Sequence, residues 1–149
     1  MSGPLLSRTA LAVFRAHGRL LELSEDMARP VGLTAARWQV LGAVLRDPLP
    51  VSGVARAMGM TRQGVQRIAD LLVEQGLAAY RPNPAHRRAK LLVATEAGVD
   101  AVQRVTPAHR ALAADLADRL GDERFAEIAA AVERLAEALD TLDTTTPAD

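Results

Sequence analysis

From Thr61 to Gly76 the apolar positions Val65, Ile68, Ala69 and Leu72 fall at a spacing that lays them along one stripe of a helix. Arg62, Gln63, Gln66 and Arg67 face the other way. One side of this helix is built to pack, and the other stays polar and basic. The rest of the chain continues mostly in helical periods. Leu5 to Ala28 holds no Pro and a single Gly, with Leu6, Ala10, Val13, Leu20 and Leu21 at near-helical spacing, and predicts a first helix. Pro30 and Gly32 break it, and Thr34 is placed to cap a second helix running through Arg46, with Trp38, Leu41 and Leu45 on one face. Asp47-Pro48-Leu49-Pro50 ends that helix. Ser52 is expected to cap a short third helix, Gly53 to Met58, which Gly59 closes, and Thr61 to cap the fourth.

Beyond Gly76 the period changes. Leu77 to Arg81 predicts a strand, Pro82-Asn83-Pro84 cannot continue a regular ladder, and Lys90 to Ala94 predicts the return strand. Residues 82–89 are then a hairpin loop with His86, Arg87 and Arg88 at its tip. Thr95 should cap a fifth helix, Glu96 to Leu120, bent where Pro107 removes a backbone donor. After Gly121 and Asp122, a last helix carries Phe125, Ile128, Val132, Leu135, Leu139 and Leu142 as a long apolar stripe, and residues 143–149 are expected to be a disordered tail.

Short helix, turn, arginine-fronted helix and basic hairpin, in that order, predict a winged helix-turn-helix over residues 33–95. The fold class is therefore mainly α with a small β-hairpin wing. The first and last helices carry more apolar surface than so small a module needs for its own core. Residues 5–28 and 96–142 are expected to join two copies into a homodimer; the alternative is that these helices fold back on their own domain.

Composition agrees with this outline and removes other classes. At 149 residues, 49% hydrophobic but only 3% aromatic, the core must come mainly from Ala, Leu and Val, which favours packed helices. No apolar run approaches the roughly 20 residues that span a bilayer, so no membrane association is expected and the protein is placed in the cytoplasm. The absence of cysteine excludes disulfides, thiolate metal sites and thiol redox sensing. A formal net charge of zero conceals an uneven distribution. From Thr61 to Lys90, Arg62, Arg67, Arg81, Arg87, Arg88 and Lys90 face only Asp70 and Glu74, whereas ten acids from Asp115 onward face Arg119, Arg124 and Arg134. A basic reading region beside an acidic support suits nucleic acid, although the acidic end also fits a plain solvated face.

The stretch LTAARWQVL from Leu33 to Leu41, followed by VSGVARAMGMTRQGVQRIADLLVEQGLAAYRPNPAHRRAKLLVATEAG from Val51 to Gly98, resembles the MarR family of bacterial transcription regulators. The resemblance covers nearly the whole chain, and it is the order and spacing of the motifs that make it specific. It implies a pseudo-twofold dimer formed through the first, fifth and sixth helices, binding palindromic double-stranded DNA operators and released by small aromatic or anionic ligands. Carried onto this chain, it puts Thr61, Arg62, Gln63, Gln66 and Arg67 in the major groove and Arg87 and Arg88 on the wing. Their chemistry fits: Arg forks pair with guanine acceptors, Gln amides with adenine, and a Thr hydroxyl with phosphate. The family's wing has an acid two residues before the minor-groove arginine; here His86 stands before Arg88, so the usual brace is missing.

For an effector, the resemblance points to Arg15 and His17 on the first helix and to Arg37 and Trp38 on the second. An arginine could hold a carboxylate and Trp38 could stack on a ring; equally, Trp38 suits a core and the arginines suit ion pairs between subunits. His17, His86 and His109 have no metal-ligand spacing, and there is no phosphate loop, serine elbow or paired-carboxylate pattern. No cofactor, metal or catalytic residue is expected, and the chain is not predicted to be an enzyme. A winged-helix module that binds protein instead of an operator is the alternative function.

Overall fold

The computed structural model describes residues 1–142, so the expected tail of 143–149 lies outside the described residues. The elements run α1 (Ser2–Ala28), a 3-10 turn (Arg29–Val31), α2 (Ala35–Val44), β1 (Leu49–Pro50), α3 (Val51–Met58), α4 (Arg62–Glu74), β2 (Ala78–Arg81), β3 (Leu91–Ala94), α5 (Glu96–Leu120) and α6 (Asp122–Asp140). They form two compact units, Met1–Ala108 and a second beginning at His109.

The first unit holds the core. Val40 and Leu41 of α2, Val54 of α3, Val65 and Leu72 of α4, Leu92 of β3 and Val105 of α5 are fully buried together. Buried alanines, among them Ala28, Ala55, Ala69 and Ala101, let backbones approach where larger side chains would hold them apart. One contact needs no side chain at all. A Cβ on Gly98 would run into the Leu77 carbonyl oxygen and meet Leu41 Cδ2 at 3.2 Å, so the first turn of α5 lies directly on the start of the hairpin. Thr95 fastens the same junction. Its N–H donates to the Leu77 carbonyl (3.1 Å), its hydroxyl donates to the Gly76 carbonyl (2.6 Å) and accepts from the Gly98 N–H (3.2 Å), which caps α5. The hairpin's position relative to α4 is thereby fixed from behind.

The sheet has three antiparallel strands in the order β1-β3-β2. Two were expected; the third, β1, pairs Leu49 with Leu92 and Pro50 with Leu91. A proline is tolerated there because β1 is an edge strand, where a missing N–H leaves no ladder partner unsatisfied. Element ends differ from the sequence expectation in the same neighbourhood. Ser52 does not cap α3: Pro50 takes the extended N-cap conformation and the helix begins at Val51, with no side-chain cap. α2 stops at Val44 rather than Arg46, and α1 begins at Ser2, three residues early. α4 ends at Glu74, ahead of Gly76, whose φ of 75° reverses the chain. β2 and β3 each start one residue later than expected, at Ala78 and Leu91. The Thr34 and Thr61 caps are formed, accepting from Arg37 N–H at 3.2 Å and Gly64 N–H at 3.0 Å.

The long terminal helices look different from inside this core. α1 buries only Ala28 and leaves Leu5, Leu6, Leu11, Phe14 and Leu20 exposed. In the second unit, no residue of α6 is buried, and Ile128, Val132, Leu139 and Leu142 are all exposed, Val132 at 54%. α5 is continuous through Pro107. Among the described residues no helix is long and apolar enough to cross a membrane.

Candidate nucleic-acid interface

α4 builds its two faces from its own period. Val65, Ala69 and Leu72 are buried and Ile68 packs partly against the core, so the helix cannot rotate without exposing them. That anchoring turns Arg62, Gln63, Gln66 and Arg67 outward, all exposed, with Thr61 exposed at the cap. Gly64 has little need of explanation in the backbone: a Cβ there would meet only the Thr61 hydroxyl oxygen, at 3.0 Å, the atom that accepts from its N–H.

The wing is shaped by Asn83. Its side-chain oxygen accepts from the Ala85 N–H (3.0 Å), its carbonyl accepts from the His86 N–H (3.2 Å), and the His86 carbonyl in turn accepts from the Ala89 N–H (3.3 Å). These turns leave His86, Arg87 and Arg88 exposed. Between wing and reading helix lies a cleft of about 410 Å³, lined by Arg62 and Gln66 of α4, by His86, Arg88 and Lys90 of the hairpin and by Val51 and Ser52 at the start of α3. Three cations from two elements thus face one concavity. Among the described residues no ion pair uses Arg62, Arg67, Arg87 or Arg88; the pairs present are Arg19–Glu22, Arg29–Asp26 and Arg119–Asp115. The reading-face guanidinium groups therefore remain available to phosphates or base edges. Of the expected DNA contacts, Arg62, Gln66 and Arg88 share the cleft; Arg87 is on the wing but does not line it.

Sequence reasoning missed the polar cluster at the cleft's inner wall. The Gln66 amide nitrogen donates to the Tyr80 hydroxyl (2.8 Å) and to Asp70 Oδ1 (3.0 Å), and the Tyr80 hydroxyl donates to the same Asp70 oxygen (2.6 Å). Partial burial, the hydrogen bond to Asp70 and that carboxylate's charge together push the Tyr80 phenol up to about 12. Only the Gln66–Asp70 spacing, one helical turn, was visible in the sequence; Tyr80 lies 14 residues away and arrives through the hairpin.

The expected effector residues do not converge. His17 lines a cleft of about 740 Å³ between α1, α2 and the α3–α4 turn, with Leu21, Gln39, Met58 and Met60 among its walls. Arg15 lies on a separate stretch of α1 beside Arg8 and Leu11. Trp38 is half-buried against the core, and the Arg37 side chain is not among the cleft's walls.

The sequence match and the shape point the same way. A family model described as MarR family matches residues 31–89. An uncharacterised protein of Mycobacterium tuberculosis H37Rv is 46% identical over 101 residues, 68% of this chain and 71% of that protein. The fold is similar to Sco5413, a MarR family transcriptional regulator from Streptomyces coelicolor, with a TM-score of 0.76 and 27% identity over 95% of this chain and 99% of the other. It is also similar to the transcriptional repressor CouR bound to a 23-mer DNA duplex, with a TM-score of 0.76 and 25% identity over 91% and 97% of the two chains.

Proposed function

Because the chain belongs to the MarR family, whose members are transcription regulators and not enzymes, we propose that it is a ligand-responsive repressor that binds a pseudopalindromic operator as a homodimer. The observation that carries this reading is the cleft in which Arg62 of the reading helix and Arg88 of the wing face the same space, with no acidic partner among the described residues. α4 enters the major groove with Arg62, Gln63, Gln66 and Arg67 toward the bases and Thr61 toward a phosphate. Arg88 reaches the minor groove, most favourably where an A·T-rich sequence narrows it, and Arg87 holds the backbone. CouR, which shares this fold, is a repressor bound to duplex DNA, and that supports transferring the mode of binding.

Homodimer formation is supported by the exposed apolar stripes of α1 and α6, which water would otherwise cover. The second copy sets two reading helices about one DNA turn apart, roughly 34 Å. For the effector, the cleft at His17 offers apolar walls and one imidazole ring, suited to a small aromatic or anionic molecule.

A gel-shift series with duplex from the gene's own upstream region, run at several salt concentrations against an unrelated duplex, tests the reading. A steep fall in affinity with salt, together with preference for the upstream duplex, is expected. Equal, weak binding to both duplexes refutes operator recognition and favours a winged-helix module that binds protein.

A further inference from the structure

We propose that Met58 and Met60, which flank the turn between α3 and α4, form an oxidation site: a peroxide-class oxidant converts their thioethers to sulfoxides, and the altered turn moves the reading helix out of its DNA-binding position. The proposal rests on the DNA-reading role of α4.

The position of the two residues couples them to DNA reading. Met58 is the last residue of α3, Gly59 reverses the chain with a φ of 63°, and Met60 leads directly into Thr61, the N-cap of α4. The Gly59 and Met60 N–H groups both donate to the Ala55 carbonyl, the latter at 3.0 Å, a closure in which the residue after the glycine packs back on the helix it ends. Met58 and Met60 both pack against the core. Apolar contact from these two side chains therefore helps to hold the turn. Thr61 caps α4 by accepting from the Gly64 N–H at 3.0 Å, and Arg62 and Gln63 follow at once, so a displacement of Met60 passes along the backbone into the first turn of the reading helix.

Neither methionine is sealed in. Both line the cleft of about 740 Å³ that opens between α1, α2 and this turn, a space that admits a molecule as small as hydrogen peroxide. The chain has no cysteine, so no thiol of its own competes for the oxidant. The sulfur attacks one peroxide oxygen; an S–O bond forms, the O–O bond breaks, the sulfur gives up two electrons and the peroxide is reduced to water. The product is a polar, chiral group with a strong acceptor oxygen where a flexible apolar side chain stood. Such an acceptor is costly against an apolar core unless it finds a donor. His17 of α1 and Gln39 of α2 line the same cleft and carry N–H donors, which favours a sulfoxide turned away from the core and into the cleft. The other two of the four methionines provide an internal comparison, since Met1 is exposed at the chain start and Met27 lies in α1, both outside the turn.

The test treats the full chain with hydrogen peroxide in steps. Each step is read by mass spectrometry of the tryptic peptide 57–62, which carries both residues, and by gel shift on duplex from the gene's own upstream region. Affinity should fall about tenfold in step with the doubly oxidised peptide and not with oxidation of Met1, while the helical circular dichroism signal persists. Methionine sulfoxide reductases of both epimer specificities should restore it. In Met58→Leu combined with Met60→Leu, a swap of similar volume, affinity should not respond to peroxide. A peptide 57–62 that stays unoxidised after Met1 is fully converted overturns the proposal, as does doubly oxidised protein that binds within about twofold of the untreated chain, an equal loss in the leucine variant, or a helical signal that collapses together with affinity. Untreated protein that binds every duplex equally weakly refutes the DNA-reading role itself, a failure seen before any oxidant is added.

Discussion

α4 and α6 are both amphipathic helices of this chain, yet α4 buries Val65, Ala69 and Leu72 while α6 buries nothing and exposes Ile128, Val132, Leu139 and Leu142. α1 sides with α6, burying Ala28 alone over 27 residues. The contrast separates two jobs for an apolar stripe. In α4 the stripe is satisfied within the chain, and its purpose is to hold a polar face in a fixed direction. In α1 and α6 the stripe is open, and on the reading proposed here its partner is a second copy. On that proposal the reading head is complete in one chain, and operator recognition takes two.

The strongest way to break the comparison is to attack the closed side. Gly98→Ala sets a methyl group against the Leu77 carbonyl, a backbone atom that cannot turn away, and should destabilise the first unit by about 3 kcal/mol or more. Denaturant unfolding followed by circular dichroism measures it; a loss below 1 kcal/mol, on the order of a tolerated surface change, would mean that α5 does not rest on the hairpin.

The open side should fail in another way. Val132→Asp combined with Leu139→Asp is expected to give a monomer whose reading head still melts cooperatively, with operator affinity lower by about a hundredfold, since two linked half-sites reinforce each other by 10²–10⁴. Sedimentation and gel-shift measurements check both halves of that statement. Dimers that persist in this variant would place the subunit contact elsewhere.

Within the interface the two cationic elements should differ in kind. Arg62→Ala is expected to weaken the cognate duplex by about 1–3 kcal/mol and to relax preference at one base pair, whereas Arg88→Ala should lower affinity more evenly across sequences and reduce the salt slope by about 1. Titrations of cognate and scrambled duplexes at several salt concentrations distinguish these outcomes. Thr61→Ala, which removes the hydroxyl accepting from the Gly64 N–H at 3.0 Å, should cost about 1 kcal/mol of stability, read as a lower melting temperature.

The smallest effect is at alkaline pH. The Tyr80 phenol is raised from 10.0 to about 12 in the fold, so the folded state keeps a proton that the unfolded chain has lost. Its contribution is whole below pH 10 and disappears as pH rises from about 10 to 12. Tyr80 is the only tyrosine in the chain, so phenolate absorbance reports it directly. Asp70→Asn should bring that titration down toward 10.0.

How much of this could be seen in the residue string depended on whether the cause was local. The α4 stripe, the Thr34, Thr61 and Thr95 caps and the Pro82-Asn83-Pro84 turn each act over a few residues, and each is present in the fold. β1 was hidden because two residues cannot show alternation, and because Pro50 reads as a breaker until its edge position is known. The same proline displaced the expected Ser52 cap: its fixed φ suits the extended N-cap conformation, and α3 starts at Val51, two residues before the expected Gly53. Arg62 and Arg88 could be picked out by charge, but that they share a cleft is a consequence of the hairpin folding back on α4. The Gln66–Tyr80–Asp70 cluster was out of reach for the same reason, and it alters the chemistry most, since a glutamine named as an adenine reader also donates from its amide nitrogen within the protein.

Hydroxyl-radical footprinting of the full chain on DNA from its own upstream region tests the central claim most directly. Two protected segments related by a pseudo-dyad, with centres about one helical turn apart, roughly 34 Å, are the predicted result. A single unpaired footprint, or protection that spreads evenly along the duplex whatever its sequence, would contradict the account of a complete reading head doubled by open helices.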